Sequence, residues 1–251
     1  MAQAVFRFSA ELNDFLPASQ RQVYFTHFFK ERASIKDTIE SLGVPHTEVD
    51  CIRVNGQAVD FSYIVQDGDR IDVHPISTAQ QVTPLVSVRP ALPSILCFVL
   101  DVHLGKLASS LRLLGFDTLY RNDYDDEELA EISASQERVL LTRDKGLLMR
   151  NLVTYGYYVR ATNPEQQIIE VLRRFNLFEK VLPFQRCIRC NGLLEAVAKD
   201  SILNQLPEKT RLEINEFHRC CECEQIYWRG SHYERMQQFI NGVLEAQESA
   251  C

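Results

Sequence analysis

The chain has 251 residues, 45% of them hydrophobic and 24% charged, the balance of a soluble globular protein with room for one large domain or two to three small ones. Its formal net charge of −7 excludes a broad, nonspecific coat on DNA but leaves room for nucleic acid held locally by a few Arg and Lys. No apolar stretch approaches the roughly 18 residues of a transmembrane helix, and residues 1–7 lack a basic-then-apolar signal pattern, so a cytoplasmic protein with no membrane partner is expected.

Residues 4–8 predict a first strand and residues 23–25 a second, across a loop holding Asn13, Asp14 and Pro17. Residues 34–43 read as a helix, with Ser34 as N-cap and Gly43 placed to end it. A further strand is expected around residues 52–54, turned by Asn55-Gly56, after which Val59 and residues 63–65 lead on to the next turn. The unit closes with an alternating strand at 70–75, after the turn Asp67-Gly68-Asp69. The order ββαββ over residues 1–80 is a small α+β roll. Val54-Asn55-Gly56 through residues 67–75 resembles the β-grasp, ubiquitin-like sulfur-carrier folds. Those carriers end in an open Gly-Gly tail, whereas this strand runs on into Ile76-Ser77-Thr78. The resemblance therefore implies a module that engages a protein partner or guides RNA rather than a sulfur carrier.

Residues 81–94 carry Pro84, Pro90 and Pro93, which remove backbone donors and restrict their predecessors, and read as a semi-extended linker. Strand and helix then alternate over residues 95–180. A strand at 95–101 leads to a helix at 104–114, whose Leu104, Leu107, Ala108, Leu111 and Leu114 form an apolar stripe ended by Gly115. A short strand at 117–120 precedes a helix opening at Asp126 with an acid-rich first turn. A strand at 139–142, a short helix from Lys145, a strand at 157–160 and a helix at 164–177 with Pro164 in its first turn complete the series. Such alternation predicts an α/β fold, a parallel sheet with flanking helices.

Two of the apolar runs end in aspartate, Asp101 and Asp144, which places both at carboxyl ends of strands, where open α/β sheets bind ligands. Asp123, Asp125 and Asp126 follow the strand at 117–120 and offer a third acid. Each of Asp101, Asp126 and Asp144 also suits a helix N-cap. A cap needs one acid, however, and this segment carries Glu127 and Glu128 as well. Clustered carboxylates suit magnesium or manganese and metal-assisted phosphodiester hydrolysis. Lys106, Arg112, Arg143 and Lys145 are candidates to contact phosphate, the alternative for each being solvated surface charge.

Asp101, the run Leu107-Ala108 with Leu111-Arg112-Leu113-Leu114-Gly115-Phe116-Asp117-Thr118, Asp126 with Leu129, and Leu140-Leu141-Thr142-Arg143-Asp144 together resemble the PIN-like ribonucleases. More narrowly they resemble the Mut-seven C-terminal RNase family. That family carries a zinc ribbon after the PIN-like domain and, in many members, a ubiquitin-like domain before it, so the resemblance spans nearly the whole chain. It implies RNA cleavage with Asp101, Asp126 and Asp144 as the active-site acids. Asp117, Asp123 and Asp125 compete for a fourth place.

Eight cysteines without a signal peptide point to metal or buried thiols rather than disulfides. Cys51 and Cys97 lie in apolar runs and read as core thiols; Cys251 is given no role. Cys187-x-x-Cys190 and Cys220-x-x-Cys223 are paired knuckles that predict a closed, structural four-thiolate zinc site in residues 181–251. The rivals are a redox dithiol and substitution by Cys221, His218 or His232. An insertion is expected near residues 200–216, and a C-terminal amphipathic helix at 232–246. The resemblance extends through Arg186-Cys187, Cys190-Asn191-Gly192 and Tyr227-Trp228 to His232. Trp228, Tyr227 and Arg229 are candidates to stack on RNA bases, with core packing the alternative for the tryptophan. The leading function is a metal-dependent ribonuclease. The competing ones are an RNA- or ribosome-binding protein without catalysis and a β-grasp partner module of a modification system.

Overall fold

The structure, a computed structural model, describes residues 1–75 and 87–248. The expected tail Ile76-Ser77-Thr78, residues 81–86 of the expected linker and Cys251 lie outside the described residues. In chain order the first elements are β1 (Ala2–Phe8), β2 (Phe25–Phe29), α1 (Ile35–Ser41), β3 (Val49–Val54), β4 (Gln57–Val59) and β5 (Arg70–Pro75). Then come β6 (Phe98–Leu100), α2 (Gly105–Leu113), β7 (Thr118–Leu119), α3 (Asp126–Ser135), β8 (Val139–Thr142), α4 (Lys145–Leu148), β9 (Gly156–Tyr158) and α5 (Pro164–Arg174). The last are β10 (Leu194–Val197), α6 (Lys199–Ile202), α7 (Glu208–Glu213), β11 (Phe217–Cys220), β12 (Ile226–Trp228) and α8 (Ser231–Glu248). Their contacts divide the chain into two compact units, Met1–Ile95 with Asp125–Tyr158, and Leu96–Tyr124 with Val159–Cys251.

In the first unit β1 to β5 form one sheet in the order β2-β1-β5-β3-β4. β1 and β5 are parallel, and the other neighbours are antiparallel. Alternation along β1 and β5 sends Phe6, Phe8, Ile71 and Val73 to one face, where Ile35 and Ile39 of α1 close the core. Ser34 caps α1 by accepting the Asp37 amide. The second strand lies at Phe25–Phe29 rather than at 23–25. Its inward residues are Phe25, His27 and Phe29, and the His27 ring meets Phe6 edge-on at 6.0 Å. An imidazole in an apolar position disguised the alternation. Between β4 and β5, Ile64 makes a single bridge to Ser34.

The same unit holds α3, β8, α4 and β9. β8 and β9 pair in parallel from Leu140↔Gly156 to Thr142↔Tyr158. They pack against the small sheet domain through the short 3-10 turn His46–Glu48. The Tyr158 amide donates to Glu48 Oε1 at 2.7 Å, and the Tyr158 ring meets Phe15 edge-on at 5.2 Å. His46 is held between Glu40 Oε1 at 2.6 Å and the Val153 carbonyl at 3.0 Å. A Cβ at Gly156 would lie 3.2 Å from the Thr47 side chain, so the small residue permits the close approach. Residues 87–91 are tied down as well. The Val88 amide donates to Asp50, Arg89 to the Thr47 carbonyl, and Tyr155 to the Ala91 carbonyl.

In the second unit β6 and β7 pair in parallel, Phe98↔Thr118 and Val99↔Leu119. β6 is shorter than the apolar run predicted: Ile95 is 78% exposed, and only Phe98–Leu100 is buried strand. α5 begins with Pro164, its Asn163 cap accepting two amides, and buries Ile168, Val171 and Leu172. β10, β11 and β12 form an antiparallel sheet over a small cluster of Ile202, Leu206, Phe217 and Ile226. α6 and α7 occupy the expected insertion. The fold is therefore α/β, with parallel strands flanked by helices, an N-terminal β-rich domain and a C-terminal cysteine cluster. Among the described residues no helix is long and apolar enough to cross a membrane.

Candidate functional site

Four sulfurs converge in the second unit. Cys187, Cys190, Cys220 and Cys223 place their Sγ atoms within 4.8 Å of one another. Cys187 and Cys223 are 3.6 Å apart, and Cys190 and Cys220 3.4 Å. A disulfide requires about 2.05 Å. The edge of a zinc–sulfur tetrahedron with bonds of about 2.3 Å is about 3.8 Å. The spacing therefore fits one tetrahedral ion. Each knuckle is a local turn. The Asn191 amide donates to the Cys187 carbonyl, and the Glu224 amide to the Cys220 carbonyl. Asn191 takes φ +76° and Glu224 φ +59°, the left-handed residues these turns require. The amides of Glu222 and Cys223 point at Cys220 Sγ, at 3.4 and 3.5 Å. A Cβ at Gly192 would approach Cys220 Sγ to 2.8 Å, so only glycine leaves room.

Burial pushes the Cys187 thiol up, but hydrogen bonds from the Tyr227 hydroxyl and the Cys190 and Arg189 amides outweigh it and hold it at about 7. Burial pushes Cys190 up to about 12. A zinc ion here would take all four as thiolates, and the amides and the hydroxyl already aimed at sulfur favour that form. Cys221 is exposed and stands outside the group, as do His218 and His232. Tyr227, expected as a base-stacking residue, instead places its hydroxyl 3.1 Å from Cys187 Sγ. Trp228 packs on the small core beside Phe217, the alternative expected of a single tryptophan.

Arg112 corrects a second expectation. It is 4% exposed and not presented to a phosphate. Its Nε donates to the Thr118 carbonyl at 2.9 Å, and its Nη1 to the Ile188 and Arg189 carbonyls at 3.3 and 2.9 Å. The guanidinium thus joins β7 to the first knuckle. Burial lowers its pKa, while the Cys190 and Cys187 sulfurs oppose the shift. Asn191 adds a parallel link, accepting the Thr118 amide and donating to Asp117. Asp117 also pairs with Arg186 at 3.2 Å. One competitor for a fourth acid is thereby committed to the knuckle. Asn191 and Arg186 stood beside the cysteines in the sequence, but their partners, about 70 positions away, had no local signal.

The acids fall in both units. In the second, Asp101 follows β6, is 6% exposed, and accepts the His103 amide at 3.2 Å. Asp123 is exposed and gripped by Arg121 at 2.9 and 2.7 Å; these hydrogen bonds hold its carboxyl below the usual range. In the first unit Asp144 follows β8 and caps α4, accepting the Gly146 amide at 2.6 Å. Asp125, not Asp126, caps α3 through the Glu128 amide at 2.8 Å. Asp126 therefore stands in the first turn with its carboxylate exposed, 3.8 Å from Arg150, a cation the motif reading did not single out. The caps explain why aspartates occupy three of these positions, but not Asp126, which serves no cap.

Among the other cations, Lys106 lines an open cleft of about 860 Å³ with Ser109, Ser110, Tyr120 and Glu165. Gly105 permits that cleft wall, since a Cβ there would lie 2.7 Å from the Tyr120 hydroxyl. Lys145 lies 5.9 Å over the Phe15 ring, Arg143 is half-buried, and Arg229 pairs with Glu216 at the surface.

Comparison with protein-family models matches the Mut7-C ubiquitin domain over residues 1–81 and the Mut7-C RNAse domain over residues 96–240. The second match runs from β6 through the cysteine cluster into α8. Both agree with the resemblance carried by the motifs. No curated protein and no solved structure matches the chain.

Proposed function

We propose that this chain, which belongs to the Mut7-C RNAse domain family, hydrolyses RNA phosphodiester bonds with Asp101, Asp126 and Asp144 as the metal-binding acids of a PIN-like site. The observation that carries this reading is the position of Asp101 and Asp144, each immediately beyond the carboxyl end of a parallel strand, β6 and β8. Carboxylates are hard oxygen donors and suit magnesium or manganese. When bound, such ions supply an activated water and charge neutralisation at the leaving oxygen. The protein's part is to hold ionised oxygens still. The amides of Gly146 and Leu147 fix one oxygen of Asp144, and the His103 amide orients Asp101. The exposed Asp126 keeps its carboxylate toward solvent beside Arg150, a cation suited to a phosphate.

The four-cysteine cluster serves as a structural zinc centre. Four thiolates fill a tetrahedron and leave no coordination position for substrate. Arg112 and Asn191 tie that centre to β7, so the ribbon braces a strand of the nuclease domain. The test is cleavage of labelled RNA with manganese, with and without chelator, by the parent and by Asp101→Asn and Asp144→Asn. Metal-dependent cleavage lost in both variants supports the reading; equal cleavage by all three overturns the assignment of these acids.

A second reading, an RNA-binding protein without catalysis, draws on the capping role of Asp101, Asp125 and Asp144. It expects RNA to be retained uncut in every metal.

A further inference from the structure

The β-grasp sheet has two faces. One carries the core and α1; on the other, Arg7 of β1, Asp72 of β5 and Arg53 of β3 stand in register in one transverse row, Arg7↔Asp72↔Arg53. Arg70 lies two residues along β5. Tyr24 reaches across this row, its hydroxyl 2.8 Å from Asp72 Oδ1, with the guanidiniums of Arg70 and Arg7 at 4.1 and 5.3 Å from its ring centroid. Phe28 is 59% exposed, and Tyr24 37%. Phe28 pairs with Gln3, an exposed residue of β1. Burial lowers the pKa of His74, Asp72 opposes the shift, and Arg53 and Arg7 add to it. Asp50, at the rim, is already engaged by Arg89 and Ser87.

Three arginines thus share this face with one aspartate, Asp72, on a chain whose net charge is −7. The sign of the face is opposite to that of the molecule. Phe28 is displayed on the strand surface rather than buried, and the Tyr24 ring beside it is stacked by Arg70. Guanidiniums that track a phosphate backbone, interleaved with rings that accept bases, form the chemistry of a single-strand stacking platform. An acidic protein would use the charges but has no need of Phe28.

We propose that the outer face of the N-terminal sheet, Arg7, Arg53, Arg70, Tyr24 and Phe28, binds single-stranded RNA. This goes beyond the nuclease reading, because binding is measured without divalent metal. A chain that never cleaves can still bind, and one that cleaves can fail to bind here.

The experiment titrates the full chain into a labelled single-stranded oligouridylate and follows fluorescence anisotropy across a salt series. Replacing Arg7, Arg53 and Arg70 together with Gln is expected to weaken binding at least about tenfold at low salt. It should also flatten the slope of log affinity against log salt by about 2, the value for three lost phosphate contacts on a single strand. Phe28→Ala should cost about five- to tenfold with the salt slope unchanged, as loss of one stacked base predicts. The triple Arg→Lys variant keeps the charge and should keep the slope, which separates charge from misfolding. Parent-like affinity in the triple Gln variant overturns the proposal. So does polyglutamate binding as tightly as RNA with no effect of Phe28→Ala, which would assign the face to an acidic protein.

Discussion

The cysteine cluster and the acidic strand ends are built in opposite ways. The cysteines come from two short turns, each of which sets the distance between its own two sulfurs. Every ligand is a residue type with one dominant use in that spacing. The acids come singly from the ends of separate elements, and three of them also cap the helix that follows. A metal centre assembled from local turns identifies itself by residue type and interval. One assembled from strand ends depends on strand order, and its residues carry a second structural meaning.

Removing the cluster should produce the largest effect. Zinc held by four thiolates contributes of the order of 10 kcal/mol to folding of a small domain. Cys220→Ser should reduce bound zinc from about one per chain to a small fraction and abolish the cooperative melt of the C-terminal residues, read by elemental analysis and circular dichroism. Retention of full zinc would show that the cluster is not the site.

Arg112→Ala comes next. It leaves several carbonyls without donors, and each buried acceptor left unmatched costs about 1–3 kcal/mol. Arg112→Lys should recover little, because a point charge cannot reach carbonyls on two sides at once. Urea denaturation measures both. Stability unchanged in the alanine variant would mean that the knuckle holds its place on β7 without the guanidinium.

The acids separate their two roles by choice of substitution. Asparagine caps a helix as well as aspartate does, so Asp144→Asn should leave stability within about 0.5 kcal/mol. It should still lower RNA cleavage by about 100-fold or more, since a lost ligand charge falls on the transition state. Asp144→Ala should lose the cleavage and about 1 kcal/mol of stability together. Asp126→Asn, at a position that caps nothing, should change cleavage alone. A stability loss in the Asn variants with cleavage intact would reverse the assignment and make the acids caps only.

The smallest effect is expected at His46. Its ring joins Glu40 to the Val153 carbonyl inside the first unit, and His46→Ala should cost about 1 kcal/mol by leaving the buried carbonyl and the half-buried carboxylate without the ring. Thermal melts with separate probes for the β-grasp domain and β9 should show the two transitions drawing apart.

How much was legible follows from the range of each interaction. α1 was legible because Ser34 and Gly43 mark its ends, and α2 because its apolar stripe repeats at helical spacing. β2 was displaced because His27 occupies an inward position, and the ring it packs on, Phe6, is over 20 residues back. The ribbon's cysteines were legible and its anchors were not. Arg112 looked like a surface cation on an amphipathic helix, and only the carbonyls of Ile188 and Arg189 show that it is enclosed. Asp117 looked like an acid available to metal, and Arg186 and Asn191 show it taken. The sequence by itself determined the periodicities, the caps, the knuckle spacing and the family, because each is carried by residues within a few positions of one another or by a motif. Tertiary structure decided which cations face inward, which acids are already paired and which sheet face stays exposed. These depend on distant partners brought together by strand pairing and burial, and chain-local patterns carry no record of them.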